Sequence, residues 1–187
     1  MQRSLVGSEM CIRDRVYTQC DEVELFFNGE SLGRKNNTDI TKNKLGWKVP
    51  YQKGVLEAKG YVDGKEVTTS ILKTAGSPVD IQLTADKSVL SPNGQDLSYI
   101  SVALVDAEGS ISPVADDLVH FDVSGEGTLI AVANSNPMST ESFRTTYRKA
   151  WRGNCLAILK SGKKAGSIHL KVRVDGLPQK EIIIKVK

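Results

Sequence analysis

The feature that most constrains this chain is a period of two in its apolar residues, broken at short intervals by turn-forming pairs. Val23, Leu25 and Phe27 alternate with Glu22, Glu24 and Phe26, and Asn28-Gly29 follows at once. Such alternation puts one strand face in a core and the other in water, and Asn-Gly tolerates the positive φ of a tight hairpin turn. The device recurs at Asp63-Gly64, between runs at 56–62 and 65–68. Further alternating sets are Val79/Ile81/Leu83, Ile100/Val102/Leu104, Val119/Phe121/Val123, Ile168/Leu170/Val172/Val174 and Ile182/Ile184/Val186. Glu108-Gly109 and Asp175-Gly176 supply turn signals between several of them. Short strands with one apolar face predict an all-β fold of antiparallel sandwiches. Helical spacing occurs only from Ser139 to Trp151, where Phe143, Tyr147 and Trp151 stand four apart. Ser139 and Glu141 lack the three-residue offset of a capping box, so this stretch reads as an irregular excursion with at most a turn of helix.

Thr74-Ala75-Gly76-Ser77-Pro78 interrupts the strand pattern, and a new alternating run begins immediately afterwards. The expected organisation is therefore two tandem antiparallel immunoglobulin-like β-sandwiches, residues 16–75 and 76–187. The second has the size usual for such a domain, about 100 residues. The first is short, and is expected to lack its leading strand and expose an unpaired edge. Residues 1–15 are set apart as a non-native or disordered leader. They show neither strand nor helix periodicity, and have no apolar core or small-residue cleavage site of a signal peptide. The segment M-Q-R-S-L-V-G-S-E-M-C-I-R-D-R closely resembles a peptide translated from sequencing-adapter DNA at the edge of a metagenomic contig.

Composition removes several function classes. A hydrophobic fraction of 40% and a charged fraction of 25% argue against disorder. No run reaches the roughly 18 apolar residues of a membrane span. The net charge of +3 is small, and no basic stripe interleaved with aromatics suggests a nucleic-acid partner. Cys11 lies in the leader. Cys20 and Cys155 fall in different halves without a neighbouring Cys or His at metal spacing, and read as small buried hydrophobes. No metal site and no cofactor are expected.

Several segments together resemble the C-terminal region of bacterial glycoside hydrolase family 2 β-galactosidases, especially those of gut Bacteroidetes. In the first unit these are V-Y-T-Q-C-D-E-V-E-L-F-F-N-G-E-S-L-G-R-K (from Val16), W-K-V-P-Y-Q-K-G-V-L-E-A-K-G-Y-V-D-G-K-E-V (from Trp47) and K-T-A-G-S-P (from Lys73). In the second they are D-L-S-Y-I-S-V-A-L-V-D-A-E-G (from Asp96) and S-T-E-S-F-R-T-T-Y-R-K-A-W-R-G-N-C-L-A-I-L (from Ser139). The resemblance implies that catalysis belongs to a pair of glutamates on an upstream (β/α)-barrel, about 5–5.5 Å apart in a retaining enzyme. Neither glutamate has a counterpart here, so this chain is expected to be non-catalytic. Its implied partner is the catalytic domain of the parent, and a periplasmic or secreted setting is suggested by the resemblance only.

Local chemistry offers few alternatives. Asp116-Asp117, Glu126 and Glu141 are the best carboxylates, but acidic residues before a strand are common for conformational reasons. His120 and His169 sit on the polar phase of strands, with no Ser or Cys nucleophile and orienting group evident. The least ordinary segment is Val132-Ala133-Asn134-Ser135-Asn136-Pro137, where related domains often read V-G-N-G-D-P. A positive φ at Ser135 would be strained relative to Gly. Asn136 in place of Asp accepts a hydrogen bond without charge, which speaks against calcium. The candidate contacts for a glycan or a neighbouring domain are Asn134, Asn136, Tyr147, Arg148 and Trp151. The competing expectation makes Trp151 and Phe143 inward anchors. Trp47 and Tyr51 carry the same ambiguity. Arg144, Arg148 and Arg152 would share a basic helical face, if that segment were helical. Three readings follow: a structural interdomain region, a carbohydrate-binding module, or an adhesin-type stalk.

Overall fold

The computed structural model describes residues 12–38, 42–49 and 52–187, and every regular element among them is a β-strand. The chain divides into two compact units between Thr74 and Ala75, one residue before the expected boundary.

In the first unit β1 (Ile12–Tyr17) pairs antiparallel with β4 (Lys44–Val49). A second sheet runs β3 (Glu30–Asn36), β2 (Glu22–Phe27), β5 (Val55–Val62), β6 (Lys65–Lys73). Val16, Leu45, Trp47 and Val49 from the first sheet pack with Val23, Leu25 and Ala58 from the second, and Phe27 and Leu56 join at partial burial. Both expected hairpin turns form: φ is 51° at Asn28 and 84° at Gly29, and 49° at Asp63 and 72° at Gly64. A third turn of the same hand precedes β4, with φ 48° at Lys42 and 63° at Asn43 and no glycine. Asn37 steadies it, since its Nδ2 donates to Asn43 Oδ1 at 2.9 Å while its Oδ1 accepts from the Asn43 amide at 3.2 Å.

The leader expected to end at Arg15 overlaps β1. Four of its residues, Ile12 to Arg15, are strand and pair with β4. Period two becomes visible only when Val16 is counted with Asp14. Both point inward, opposite Leu45 and Trp47, and Asp14 is only 7% exposed. Residues 1–11, including Cys11, lie outside the described residues, as does Tyr51.

The second unit is a two-sheet sandwich of immunoglobulin type. One sheet runs β11 (Gly127–Ala133), β13 (Asn154–Ser161), β9 (Leu97–Val105), β7 (Asp80–Ala85). The other runs β12 (Tyr147–Lys149), β10 (Leu118–Gly125), β14 (Gly166–Val174), β15 (Lys180–Val186), β8 (Val89–Leu90). All described pairings are antiparallel except β15 with β8. The start of the unit thus pairs first with one sheet through β7 and then with the other through β8. The alternating residues read from sequence meet between the sheets: Ile100, Val102 and Leu104 of β9 face Val119 and Phe121 of β10 and Ile168, Leu170 and Val172 of β14. Each such side chain contributes about 1.5–3 kcal/mol by leaving water.

The possible helix at 139–151 does not form. Its C-terminal part is β12, an edge strand whose Tyr147, Arg148 and Lys149 pair with His120, Val119 and Leu118 of β10. Strand alternation therefore replaces the four-residue spacing, and sends Arg148 inward between two outward neighbours.

Candidate functional site: the excursion around Arg148

Between β11 and β12 the chain leaves the sheets for thirteen residues, about the length above which an unstructured loop becomes uncommon. What holds it is a buried guanidinium. Arg148 is 1% exposed and heads the fully buried side chains by size. Its Nη1 donates to the Glu141 carbonyl at 3.0 Å and, more weakly, to the Ser142 carbonyl at 3.5 Å. Its Nη2 donates to Asn134 Oδ1 and Ser139 Oγ, each at 3.3 Å. Nε stands 3.6 Å from Glu141 Oε2, too long for a hydrogen bond but close enough for charge attraction. The Phe143 ring lies 5.1 Å from the guanidinium carbon, at cation–π distance. Arginine suits this place because its rigid fork presents several donors at once to carbonyls on different turns.

The loop reinforces the arrangement locally. Asn134 Nδ2 donates to the Lys149 carbonyl at 2.8 Å, and Asn134 Oδ1 also accepts from the Asn136 amide at 3.2 Å. Asn136 Oδ1 accepts from the Met138 amide at 3.0 Å. Ser139 Oγ donates to Glu141 Oε2 at 3.1 Å. Asn136 therefore shapes a turn, the use to which its short amide is well suited. Ser135 is not among the residues with positive φ, so it does not carry the strain that such an angle would bring.

Of the five candidates, Asn134, Asn136 and Arg148 come together and the two aromatics do not join them. Tyr147 lies on the opposite phase of β12, 45% exposed, with its ring 6.3 Å from that of His120. Trp151 is half-buried, bridges to Asn154, and carries the Arg152 guanidinium 5.7 Å from its ring. Phe143, an inward anchor in the competing expectation, is 58% exposed, and the anchor is Arg148, read from sequence as a contact residue on a basic helical face. The shared face of Arg144, Arg148 and Arg152 disappears with the helix: Arg144 and Arg152 are exposed. Trp47 resolves toward structure, being buried with its Nε1 donating to the Gly33 carbonyl at 3.1 Å.

Two of the other titratable groups considered from the sequence, Asp116 and His169, are engaged in ion pairs. Asp116 lies 3.6 Å from Lys149 Nζ, and His169 Nδ1 lies 2.9 Å from Glu181 Oε1. Among the described residues, no group of three His, Cys, Asp or Glu could hold a metal ion. Cys20 and Cys155 are both free and buried, as expected. Burial pushes the Cys155 thiol up to about 12, against the opposing pull of the nearby Arg148 charge. The thiolate is the reactive form, so Cys155 is expected to resist iodoacetamide at neutral pH and react once denaturant opens the sandwich. Peptide mass mapping reads this directly; prompt labelling of Cys155 in the native chain would contradict the assigned burial.

The comparisons with known proteins agree with this architecture. Residues 81–183 match the family described as glycoside hydrolase family 2 C-terminal domain 5, and residues 12–68 match a domain of unknown function, DUF4982. The second match begins within the segment expected to be a leader. A β-galactosidase of Bacteroides ovatus is 39% identical over 163 residues, which is 87% of this chain and 19% of that protein. A crystal structure of a glycosyl hydrolase family 2 member from Bacteroides cellulosilyticus superposes with a TM-score of 0.93 at 45% identity, covering 95% of this chain and 23% of the other. A β-glycosidase of Bacteroides vulgatus gives a TM-score of 0.83 at 31% identity, covering 100% of this chain and 24% of the other. The chain thus spans about a fifth to a quarter of the length of these relatives. With more than half of its residues matched by that family's model, the chain belongs to the glycoside hydrolase family 2 C-terminal domain 5 family.

Proposed function

We propose that this chain is a non-catalytic accessory region of a β-galactosidase-like family 2 glycoside hydrolase, and that the excursion around Arg148 docks on another part of the parent enzyme. The observation that carries the reading is the pairing of a locked base with an apolar tip. Arg148 fixes the loop from inside while Met138, 84% exposed, and Phe143 project from it. Exposed apolar side chains gathered into one patch mark interaction surfaces. The occupant is the rest of the parent, because most of each matched relative lies outside the region of similarity.

A chimera tests this. The matched region of the Bacteroides cellulosilyticus protein is replaced by this chain, with and without Met138→Asp and Phe143→Asp together. Docking predicts that the double variant lowers the melting temperature of the chimera by roughly 3 °C or more, and leaves the isolated chain unchanged. Equal melting of both chimeras would remove the docking role. The non-catalytic half is tested separately: the isolated chain should not hydrolyse nitrophenyl β-galactoside above buffer, and measurable turnover would overturn it.

A carbohydrate-binding role for the same end of the unit draws support from Tyr147 alone, whose ring is partly free to stack on a sugar. Asn134 already uses both its amide and its carbonyl within the loop. Saturable binding to a galactoside array, lost in Tyr147→Ala at unchanged fold, would favour that role over docking.

A further inference from the structure

We propose that the outer face of the β1–β4 sheet is a binding site for an acidic oligosaccharide, one whose sugar units carry carboxylate or sulfate groups. The site lies in the first unit and does not depend on the docking role proposed for the second.

The argument begins with register. Arg15 stands opposite Gly46 and Tyr17 opposite Lys44, while Asp14, Val16, Leu45, Trp47 and Val49 take the inward phase. Arg15, Tyr17, Lys44, Gly46 and Lys48 therefore share the outward face. Gly46 has no side chain, so the middle of this face is open. Lys35 reaches in from β3, donating through Nζ to the Gly46 carbonyl, and its charge sits 4.9 Å from the Trp47 ring. The result is a groove of about 470 Å³ lined by Arg15, Lys35, Lys44, Gly46, Trp47 and Lys48.

Among the described residues, four cations line this groove and no carboxylate does. Among the described residues none of the four forms an ion pair, although Lys35 is hydrogen-bonded to a carbonyl. The other sheet of the same unit is the contrast. There Arg34 pairs with Glu22 at 3.0 Å and Glu24 at 3.6 Å, and Lys59 with Glu57 at 3.8 Å and Glu66 at 3.6 Å. A net charge of only +3 over the whole chain does not require such clustering. Like charges gathered around a concavity focus an attractive field on an anion.

Shape narrows the class. The volume falls within the roughly 300–1,000 Å³ usual for small ligands, rather than on a flat protein interface. The lysine stems add aliphatic surface to the walls beside the edge of Trp47. Tyr17, 49% exposed, continues the same face beyond Lys44. The exposed Tyr17 ring beside the groove and the aliphatic walls match the C–H faces of a pyranose, and the cations match its acidic substituents. A bare inorganic anion would use only the second half of this chemistry.

The test titrates the full chain by calorimetry with four probes: tetragalacturonate, a sulfated galactan oligomer, neutral galactotetraose and tetraglutamate. One or both acidic sugars should bind, which of them separating carboxylate from sulfate recognition, and about 0.5 M salt should weaken binding strongly by screening. Galactotetraose should not bind, and tetraglutamate should bind at least about tenfold more weakly than the acidic sugar. Lys44→Gln with Lys48→Gln should weaken the acidic sugar by about tenfold or more, and Tyr17→Ala by severalfold, without changing thermal unfolding. The proposal fails if neither acidic sugar binds, if the neutral sugar or the peptide binds as well, or if the lysine pair can be removed without loss.

Discussion

Replacing Arg148 by alanine is expected to destabilise the second unit by about 3–5 kcal/mol, the cost usual for removing one partner from a buried charged network. The side chain is 1% exposed, and its loss removes a bond from several groups, of which Asn134 Oδ1 and Ser139 Oγ keep another partner. The groups are the carbonyls of Glu141 and Ser142, Asn134 Oδ1 and Ser139 Oγ, together with the ion-pair partner Glu141. A buried acceptor left unpaired costs about 1–3 kcal/mol, and the half-exposed members recover part of this from water. The shift in melting temperature should be on the order of 15 °C, large against the stability of an ordinary domain. Trp151 emission reports on this unit when Trp47 is replaced by Phe. Arg148→Lys should recover little, because an ammonium keeps the charge but cannot span carbonyls on two sides of the loop. A near-wild-type melting curve for Arg148→Ala would mean that the network does not hold the excursion.

That arginine also marks where sequence reading reaches its limit. Most of the sheet framework was legible because its strands are long enough to show a period: β2, β9, β10, β14 and β15 all bury the residues that alternation assigned. The turns at Asn28-Gly29 and Asp63-Gly64 were legible for a different reason, since their residues tolerate the required backbone angles. β12 has three residues, too few to set a period of two against a spacing of four. Arginine is by default a surface residue, so nothing local announces that Arg148 faces inward. The available signal was indirect: Asn134, Ser139 and Glu141 form a polar cluster around an excursion that otherwise lacks anchors. Of the five named candidates, Asn134, Asn136 and Arg148 proved to be one cluster, and the two aromatics were grouped by linear proximity alone. β1 was hidden by its inward Asp14, which breaks the apolar pattern on a face that is buried all the same. The turn at Lys42-Asn43 was missed because it lacks the glycine that usually gives such a turn away.

Gly125→Ala is expected to destabilise the second unit by about 3–5 kcal/mol, through two costs that act together. The residue ends β10, where Ser124-Gly125-Glu126-Gly127 carries the chain from one sheet to β11 in the other. Its φ is 91°, a conformation that a Cβ disfavours by about 1–3 kcal/mol. A Cβ there would also meet the Ser167 carbonyl oxygen at 2.1 Å. That oxygen belongs to β14 and accepts from the Glu126 amide at 2.9 Å, so moving it aside would lengthen the bond that holds the corner. Overpacking against atoms that cannot yield adds about 1–3 kcal/mol. Gly109→Ala separates the two contributions. Gly109 has a similar φ of 79° but open space around the added carbon, so only the backbone cost remains, about 1–2 kcal/mol. Urea unfolding of the two variants should therefore differ by about 2 kcal/mol or more, with Gly125→Ala the weaker fold. Equal midpoints would show that the corner relaxes freely, and that the close approach of Gly125 to β14 does not fix how the two sheets are joined.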